Sequence, residues 1–195
     1  MGSITLFKKM VFAGGLALSG AVWAATPSAV MLANTCAACH GTGGSSVAQI
    51  PSLAGAKAEY FVDTMKAFKS GARKATVMDR VAKGYSDEEI ALMGDYFAQQ
   101  KQIPMKQGFD KAKANQGMRL HDKYCEKCHE DGGRKPDEGG ILAGQSMLYL
   151  TFSMDDFLSG EREMEKDMKK KVNEMLRDTD KSSIESLIHF YGSQQ

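Results

Sequence analysis

The sequence lacks the features that mark several classes of protein. It contains only four prolines among 195 residues, and its formal net charge is +1. A proline-poor chain with 43% hydrophobic residues does not have the composition of a disordered protein, and without a basic excess it is not expected to bind nucleic acid. Valine, isoleucine and threonine are sparse and never alternate with polar residues over the length of a strand. We therefore expect a globular, all-α protein without a β-sheet.

The chain also lacks a hydrophobic run of transmembrane length. The apolar segment 10–22 has 13 residues, whereas a membrane-spanning helix needs about 20. Lys8 and Lys9 precede this segment and the small residue Ala24 follows it, which is typical of a secretory signal peptide. We predict cleavage after Ala24, export to the periplasm and no membrane span in the mature chain. The alternative is an uncleaved N-terminal anchor, but no stop-transfer charges follow the apolar run.

The rest of the sequence contains an internal repeat. A shift of 89 residues places the motif Cys36-Ala-Ala-Cys39-His40 on Cys125-Glu-Lys-Cys128-His129. The same shift aligns further residues in pairs, namely Tyr60 with Tyr149, Phe68 with Phe157, Gly71 with Gly160 and Arg73 with Arg162. Repeats of this kind indicate two homologous units.

A later helical segment repeats at a shift of 94 residues, which places Ile90 on Ile184. Both copies open with the pattern Ser-x-x-Glu, at Ser86 and at Ser182, which predicts a capping box at each helix start. Pro104 disfavours helix at the residue before it, so we place the boundary between the units there. The predicted segments are a signal peptide (1–24), a first domain (25–103) and a second domain (104–195).

Each unit contains the motif Cys-x-x-Cys-His, which is the spacing of covalent haem attachment. Two cysteines three positions apart can each form a thioether with one porphyrin, and the adjacent histidine then reaches the iron. The predicted attachment residues are Cys36, Cys39, Cys125 and Cys128, and the predicted proximal iron ligands are His40 and His129. The alternatives are a zinc site that uses all four cysteines, a thioredoxin-like dithiol and two local disulfides. None of these needs the histidine.

A methionine thioether is expected as the sixth iron ligand in each unit. Met78 is predicted to lie in a loop that crosses the distal face of the first haem. The corresponding loop of the second unit contains Met164 and Met168; we prefer Met168, one residue from register with Met78, and keep Met164 as the alternative. Bis-histidine ligation would need His121 or His189, which we expect to be ordinary core or surface histidines.

The two proximal histidines are expected to be supported differently. Pro51 follows His40 by eleven residues, where a nearby carbonyl could accept a hydrogen bond from the second ring nitrogen. The second unit has Gly140 at the corresponding position. The orientation of His129, and with it the reduction potential of the second haem, could therefore differ from that of the first.

With both motifs and the repeat, the chain resembles the two-haem cytochrome c superfamily over essentially its whole mature length. More narrowly, it resembles the cytochrome subunit of flavocytochrome c sulfide dehydrogenase. The strings that carry this narrower resemblance are LHDKYCEKCH (120–129), FKSG (68–71), RVAKGY (80–85) and ILAGQ (141–145). The resemblance implies two tandem cytochrome c domains, each wrapped around one covalent haem.

The resemblance further implies a role in electron transfer. A partner flavoprotein subunit that carries FAD would oxidise sulfide, and this chain, which has no catalytic residue of its own, would pass the electrons to a soluble acceptor cytochrome c. One alternative is a free periplasmic two-haem cytochrome c that serves a terminal oxidase. Another is a haem enzyme of the peroxidase or thiosulfate-oxidising kind, which would need an open or unusual sixth iron position.

Overall fold

A computed structural model describes residues 27–135 and 139–195 of the chain. The predicted signal peptide, residues 1–24, lies outside the described residues. Over the described ranges all regular secondary structure is helical and no strand is present, which confirms the all-α prediction. None of the helices described is both long and apolar enough to cross a membrane.

Between residues 27 and 100 the structure describes four α-helices. They are α1 (Ala29–His40), α2 (Ala58–Ser70), α3 (Met78–Val81) and α4 (Asp87–Ala98). Short 3₁₀ turns at Thr42–Gly44 and Ala82–Gly84 follow α1 and α3. The predicted capping box is present at the start of α4, where the Ser86 hydroxyl accepts from the Glu89 N–H and the Glu89 carboxylate accepts from the Ser86 N–H. These two bonds satisfy N–H groups that the helix itself leaves unpaired.

An apolar core joins α1, α2 and α4. Ile90, Met93 and Phe97 project from one face of α4 and are at most 1% exposed. The Phe97 ring packs against that of Phe61 on α2, with 5.3 Å between ring centroids. Because buried positions recur every three or four residues along both helices, each contributes one apolar stripe to the core.

The second half follows a segment without helix, residues 101–110. Its helices are α5 (Lys111–Tyr124), α6 (Glu130–Gly133), α7 (Met147–Ser159), α8 (Lys166–Asp178) and α9 (Ser182–Gly192). The capping box predicted at Ser182 is wrong. Ser182 is the first residue of α9, and its backbone N–H is bound instead by the Asp180 carboxylate at 2.7 Å. Asp180, an equally good capping residue two positions upstream, takes the capping role, and the helix already includes Ser182.

Helices α5 and α9 cross at close range. A Cβ atom at Gly117 would lie 2.0 Å from the backbone oxygen of Ser186 and 2.7 Å from Cβ of Phe190. Only glycine permits the two backbones to approach this closely. The crossing brings Leu120 of α5 and Leu187 of α9 into one core.

The internal repeat is visible in the structure at the ends of α2 and α7. Gly71 and Gly160 follow these helices in the same left-handed conformation, with φ of 81° and 82°. Two aligned pairs make the same contact. Arg73 lies over the Phe68 ring at 4.7 Å, and Arg162 lies over the Phe157 ring at 4.1 Å.

The two halves meet through a buried amide–backbone pair. Oε1 of Gln145 accepts from the Ser52 N–H at 2.9 Å, and Nε2 of Gln145 donates to the Ser52 carbonyl at 2.9 Å. Both residues are less than a tenth exposed. A side chain of the second half therefore fixes the backbone of the first half directly after Pro51.

Candidate haem sites

The first Cys-x-x-Cys-His motif lies in the last two turns of α1. The helix continues through His40 and ends at Gly41, whose φ of 77° turns the chain away. Cys36 is half-buried, Cys39 is exposed, and both carry free thiols. Burial raises the pKa of the Cys36 thiol. Both sulfur atoms are thus available on one helix end beside the histidine.

His40 is held in a defined orientation. Its ring is only 7% exposed, and Nδ1 lies 2.8 Å from the carbonyl oxygen of Pro51. Since a carbonyl can only accept, Nδ1 donates, and Nε2 of the neutral ring is left to bind a metal. Burial lowers the pKa of His40, against the opposing effect of the Pro51 hydrogen bond, so the ring stays neutral at physiological pH. The predicted carbonyl partner near Pro51 is confirmed.

The second motif begins where its helix has already ended. α5 stops at Tyr124, and the backbone from Cys125 to His129 continues as turns, with the His129 N–H bonded to the Cys125 carbonyl at 2.9 Å. Burial raises the pKa of the Cys125 thiol to about 11 and lowers the pKa of His129. To the described residues, the His129 ring makes no hydrogen bond. The expected difference between the two histidine supports is therefore present in the described part of the chain.

The structure does not support the alternative uses of the cysteines. All four are free, so neither pair is a local disulfide. Among the described residues, three potential metal ligands come within 4.8 Å of one another only at His121, Asp122 and Glu126, a group without cysteine. A four-cysteine zinc site is therefore absent from the described residues, and so is the β-α-β setting of a thioredoxin-like dithiol.

Met78 and Met168 lie in first helical turns, so the loop positions predicted for them are wrong, whereas Met164 lies in a loop. Met78 is the first residue of the single-turn α3 and packs against the first core. The loop predicted around Met168 is wrong, because the Glu165 carboxylate accepts from the Met168 N–H at 3.2 Å and begins α8 there. Met164 lies before the helix, and like Met168 it is half-buried. Met175, further along α8, is fully buried in the second core.

The family model described as Cytochrome c matches residues 24–101. The thiosulfate dehydrogenase electron acceptor of Thiomonas intermedia (strain K12) is 32% identical over 157 residues, which cover 73% of this chain and 70% of that protein. The chain belongs to the cytochrome c family. Covalently attached haem c is therefore implied for this cytochrome.

Two further relatives refine the comparison. The cytochrome subunit of sulfide dehydrogenase from Chlorobaculum tepidum is 49% identical over 67 residues, which span 34% of this chain and 61% of that relative. Reduced cytochrome c4 from Pseudomonas stutzeri has a similar crystal structure, with a TM-score of 0.72 at 25% identity over 87% of this chain and all of that one. The two tandem cytochrome c domains and the resemblance to a sulfide dehydrogenase cytochrome subunit are confirmed.

The residues of this cytochrome fit a covalent haem. Paired free thiols stand beside a neutral imidazole, and in the first domain the imidazole has one nitrogen fixed and the other free. This is the donor set that thioether attachment and axial ligation require.

His121 and His189 are both engaged in protein contacts, as expected for ordinary histidines. The His189 Nδ1 accepts from the Asp110 N–H at 2.9 Å, at the start of α5. His121 is fully buried, with Nδ1 3.0 Å from the Tyr191 hydroxyl. Both ring nitrogens of His121 and one ring nitrogen of His189 are thus engaged within the protein.

The sequence analysis aligned two arginines across the repeat without assigning them a role. In the structure they converge on one cleft of about 570 Å³ between the domains. Nη2 of Arg162 lies 3.4 Å from the Tyr60 hydroxyl. Burial alone would raise the pKa of Tyr149, but the charges of Arg73 and Arg162 lower it below its ordinary value. The pairing of identical residues in the repeat was the available signal for this cluster.

Proposed function

We propose that this cytochrome carries two haems, one in each domain. The residues assigned to the first haem are Cys36 and Cys39 for attachment with His40 and Met78 as axial ligands; those for the second are Cys125, Cys128, His129 and Met168, with Met164 as the alternative to Met168. The observation that carries this proposal is the doubled motif, together with the Pro51 carbonyl that orients His40 and leaves Nε2 available.

Haem, when bound, supplies a one-electron Fe(III)/Fe(II) couple. The chain's residues would attach it, ligate the iron and keep water from it. The two apolar cores around Phe97 and Leu120 pack directly against Cys36 and Cys125, which favours a dry porphyrin face.

We further propose that the chain is the electron-transfer subunit of a periplasmic sulfide dehydrogenase. It would accept electrons from an FAD-containing flavoprotein subunit that oxidises sulfide, and pass them to a soluble acceptor cytochrome c. The 49% identity to the Chlorobaculum tepidum subunit supports this role. That match spans three fifths of the relative, so the activity of the whole complex rests on the experiment below.

The test is size-exclusion chromatography of the natively expressed protein, with full absorbance spectra across each peak. We expect flavin to elute with haem in fixed ratio, at a mass well above 21.2 kDa. Mass spectrometry of the intact chain should give two covalent haems. Anaerobic addition of sulfide to the flavin-containing fraction should reduce the haem, whereas thiosulfate should not.

Two other outcomes would assign a different role. A flavin-free haem peak at monomer mass would favour a free two-haem carrier that serves a terminal oxidase, a role consistent with the fold shared with cytochrome c4. Reduction by thiosulfate in a complex without flavin would favour a role in thiosulfate oxidation. The similarity to the thiosulfate dehydrogenase electron acceptor of Thiomonas intermedia supports this second candidate role. In either case the sulfide assignment would be rejected.

A further inference from the structure

A polar network of two buried side chains and one half-exposed carboxylate lies beside the second haem motif. His121 on α5 is fully buried, with Nδ1 3.0 Å from the Tyr191 hydroxyl of α9 and Nε2 in short contact with the Glu126 carboxylate. The hydrogen bond from His121 lowers the pKa of Glu126, so its carboxylate is an acceptor and Nε2 is the donor. Burial raises the pKa of the Cys125 thiol, and the Tyr191 hydroxyl opposes this rise. Glu126 directly follows Cys125, and Tyr191 belongs to the core against which Cys125 packs, so the network lies beside one haem-attachment cysteine.

The first domain has no such network. The repeat aligns His121 with Leu32 and Glu126 with Ala37 at a shift of 89, and Tyr191 with Phe97 at a shift of 94. Leu32 and Phe97 are buried in the first core. The same position in the repeat is therefore occupied by the apolar Leu32 in the first domain and by the hydrogen-bonded His121 in the second.

Stability alone does not account for this difference. Burying an imidazole and a phenol hydroxyl costs free energy that hydrogen bonds only offset, and apolar side chains of similar size do as well or better in such positions. The first domain shows that the fold accepts leucine and phenylalanine there. We therefore expect the network to affect the neighbouring haem motif, residues 125–129.

Glu126 also holds the turn that follows His129. Its carboxylate accepts from the Asp131 N–H at 3.0 Å and from the Gly132 N–H at 3.4 Å. Asp131 has a φ of 55°, the one positive value at a non-glycine among the described residues. The Glu126 side chain thus ties a residue three positions before His129 to the backbone two and three positions after it, and offsets the strain of this turn.

We propose that Glu126, fixed by His121 and Tyr191, is the positioning residue for His129, and that this network sets the reduction potential of the second haem below that which the loop alone would give. In the first domain the Pro51 carbonyl holds the histidine ring directly; in the second the network holds the loop that carries the histidine. The negative charge of Glu126 also favours the ferric state, since it stabilises the more positive form of the iron. This inference rests on the proposed attachment of a haem at Cys125 and Cys128.

The test compares Glu126→Gln with Asp122→Asn in the full haem-loaded chain. Asp122 is exposed and adjacent to His121, so its variant removes the same charge from the same region and leaves the network's hydrogen bonds in place. Tyr191→Phe removes only the hydroxyl and keeps the core volume. Mass spectrometry counts the haems, and a spectroelectrochemical titration followed by NMR of the haem methyl signals gives a potential for each haem. Amide hydrogen exchange measures how well the Asp131 and Gly132 N–H groups are protected by their hydrogen bonds to Glu126.

For Glu126→Gln we expect two attached haems and a higher potential for one of them only. The shift should be at least threefold in the reduction equilibrium, or about 30 mV given 59 mV per tenfold for one electron. Exchange at the Asp131 and Gly132 amides should rise at least about tenfold, while Thr42 and Gly43 in the first domain stay unchanged. Tyr191→Phe should give a smaller shift in the same direction.

The inference is overturned if Asp122→Asn produces the same shift, because the effect would then be one of charge alone. It is also overturned if both haems shift alike, or if neither the potential nor the exchange changes. A wild-type chain that carries fewer than two haems would instead reject the proposed function, and the haem count separates that result from a failure of the network.

Discussion

Replacing Gln145 by alanine removes one buried hydrogen-bonded pair between the two domains. The side chain bonds both the N–H and the carbonyl of Ser52, each at 2.9 Å, in a region that is closed to solvent. Alanine leaves both backbone groups of Ser52 without these partners. Because Ser52 follows Pro51, the carbonyl that orients His40 also loses its anchor.

The magnitude follows from the number of groups left unpaired. A buried polar group without a partner costs about 1–3 kcal/mol. Two such groups, partly relaxed by backbone movement or water, give a loss of about 2–4 kcal/mol in the free energy of unfolding. A less firmly held His40 donates less electron density to the iron, so the potential of the first haem should rise.

The assay is chemical denaturation followed at the haem absorbance, with potentials measured on the same samples. Gln107→Ala is the matched control. Its amide also makes two hydrogen bonds, to the Gln145 carbonyl at 2.7 Å and from the Met147 N–H at 2.9 Å, but both stay within the second domain. It should destabilise the protein without moving the first haem's potential. A loss below about 0.5 kcal/mol for Gln145→Ala would refute the reasoning.

Three further predictions follow from the geometry. Gly117→Ala should unfold the second domain or cost at least about 3 kcal/mol, because its Cβ would meet the Ser186 oxygen at 2.0 Å, whereas Gly108→Ala, with nothing within 4 Å, should change the melting temperature little. Met168→Ala should convert the second haem to a high-spin ferric spectrum while Met164→Ala leaves it low-spin; the reverse would assign Met164. The folded-state pKa of Glu126 lies below its ordinary 4.5, so its contribution to stability is present above pH 4.5 and is lost as pH falls through the folded value; Glu126→Gln should flatten that part of the stability–pH curve measured by thermal melts.

Much of the fold and of the candidate sites could be predicted from local patterns. Haem attachment depends on two cysteines and a histidine at fixed spacing, which is a property of a few consecutive residues. The Pro51 carbonyl could be anticipated because it lies only eleven residues from His40 on one continuous loop. The repeat, a pattern across the whole chain, supplied the two-domain architecture.

Contacts between distant segments could not be predicted in this way. The loop expected around Met168 is helix, because the Glu165 carboxylate caps it, and the second motif lies outside α5 although the first lies inside α1. Gln145 meets Ser52 across 93 positions of sequence. No periodicity records such a pairing, since it exists only when the two domains are packed together.

The sequence by itself therefore determined the composition class, the helical repeat and the residues available to hold a covalent haem. These depend on spacing, and spacing is conserved when the chain folds. Only the tertiary structure decided that His121, an isolated histidine in the sequence, is sealed between Glu126 and Tyr191. Burial and the partner of each polar group are fixed by helix packing, and it is this packing that gives the two similar domains different surroundings for their histidines.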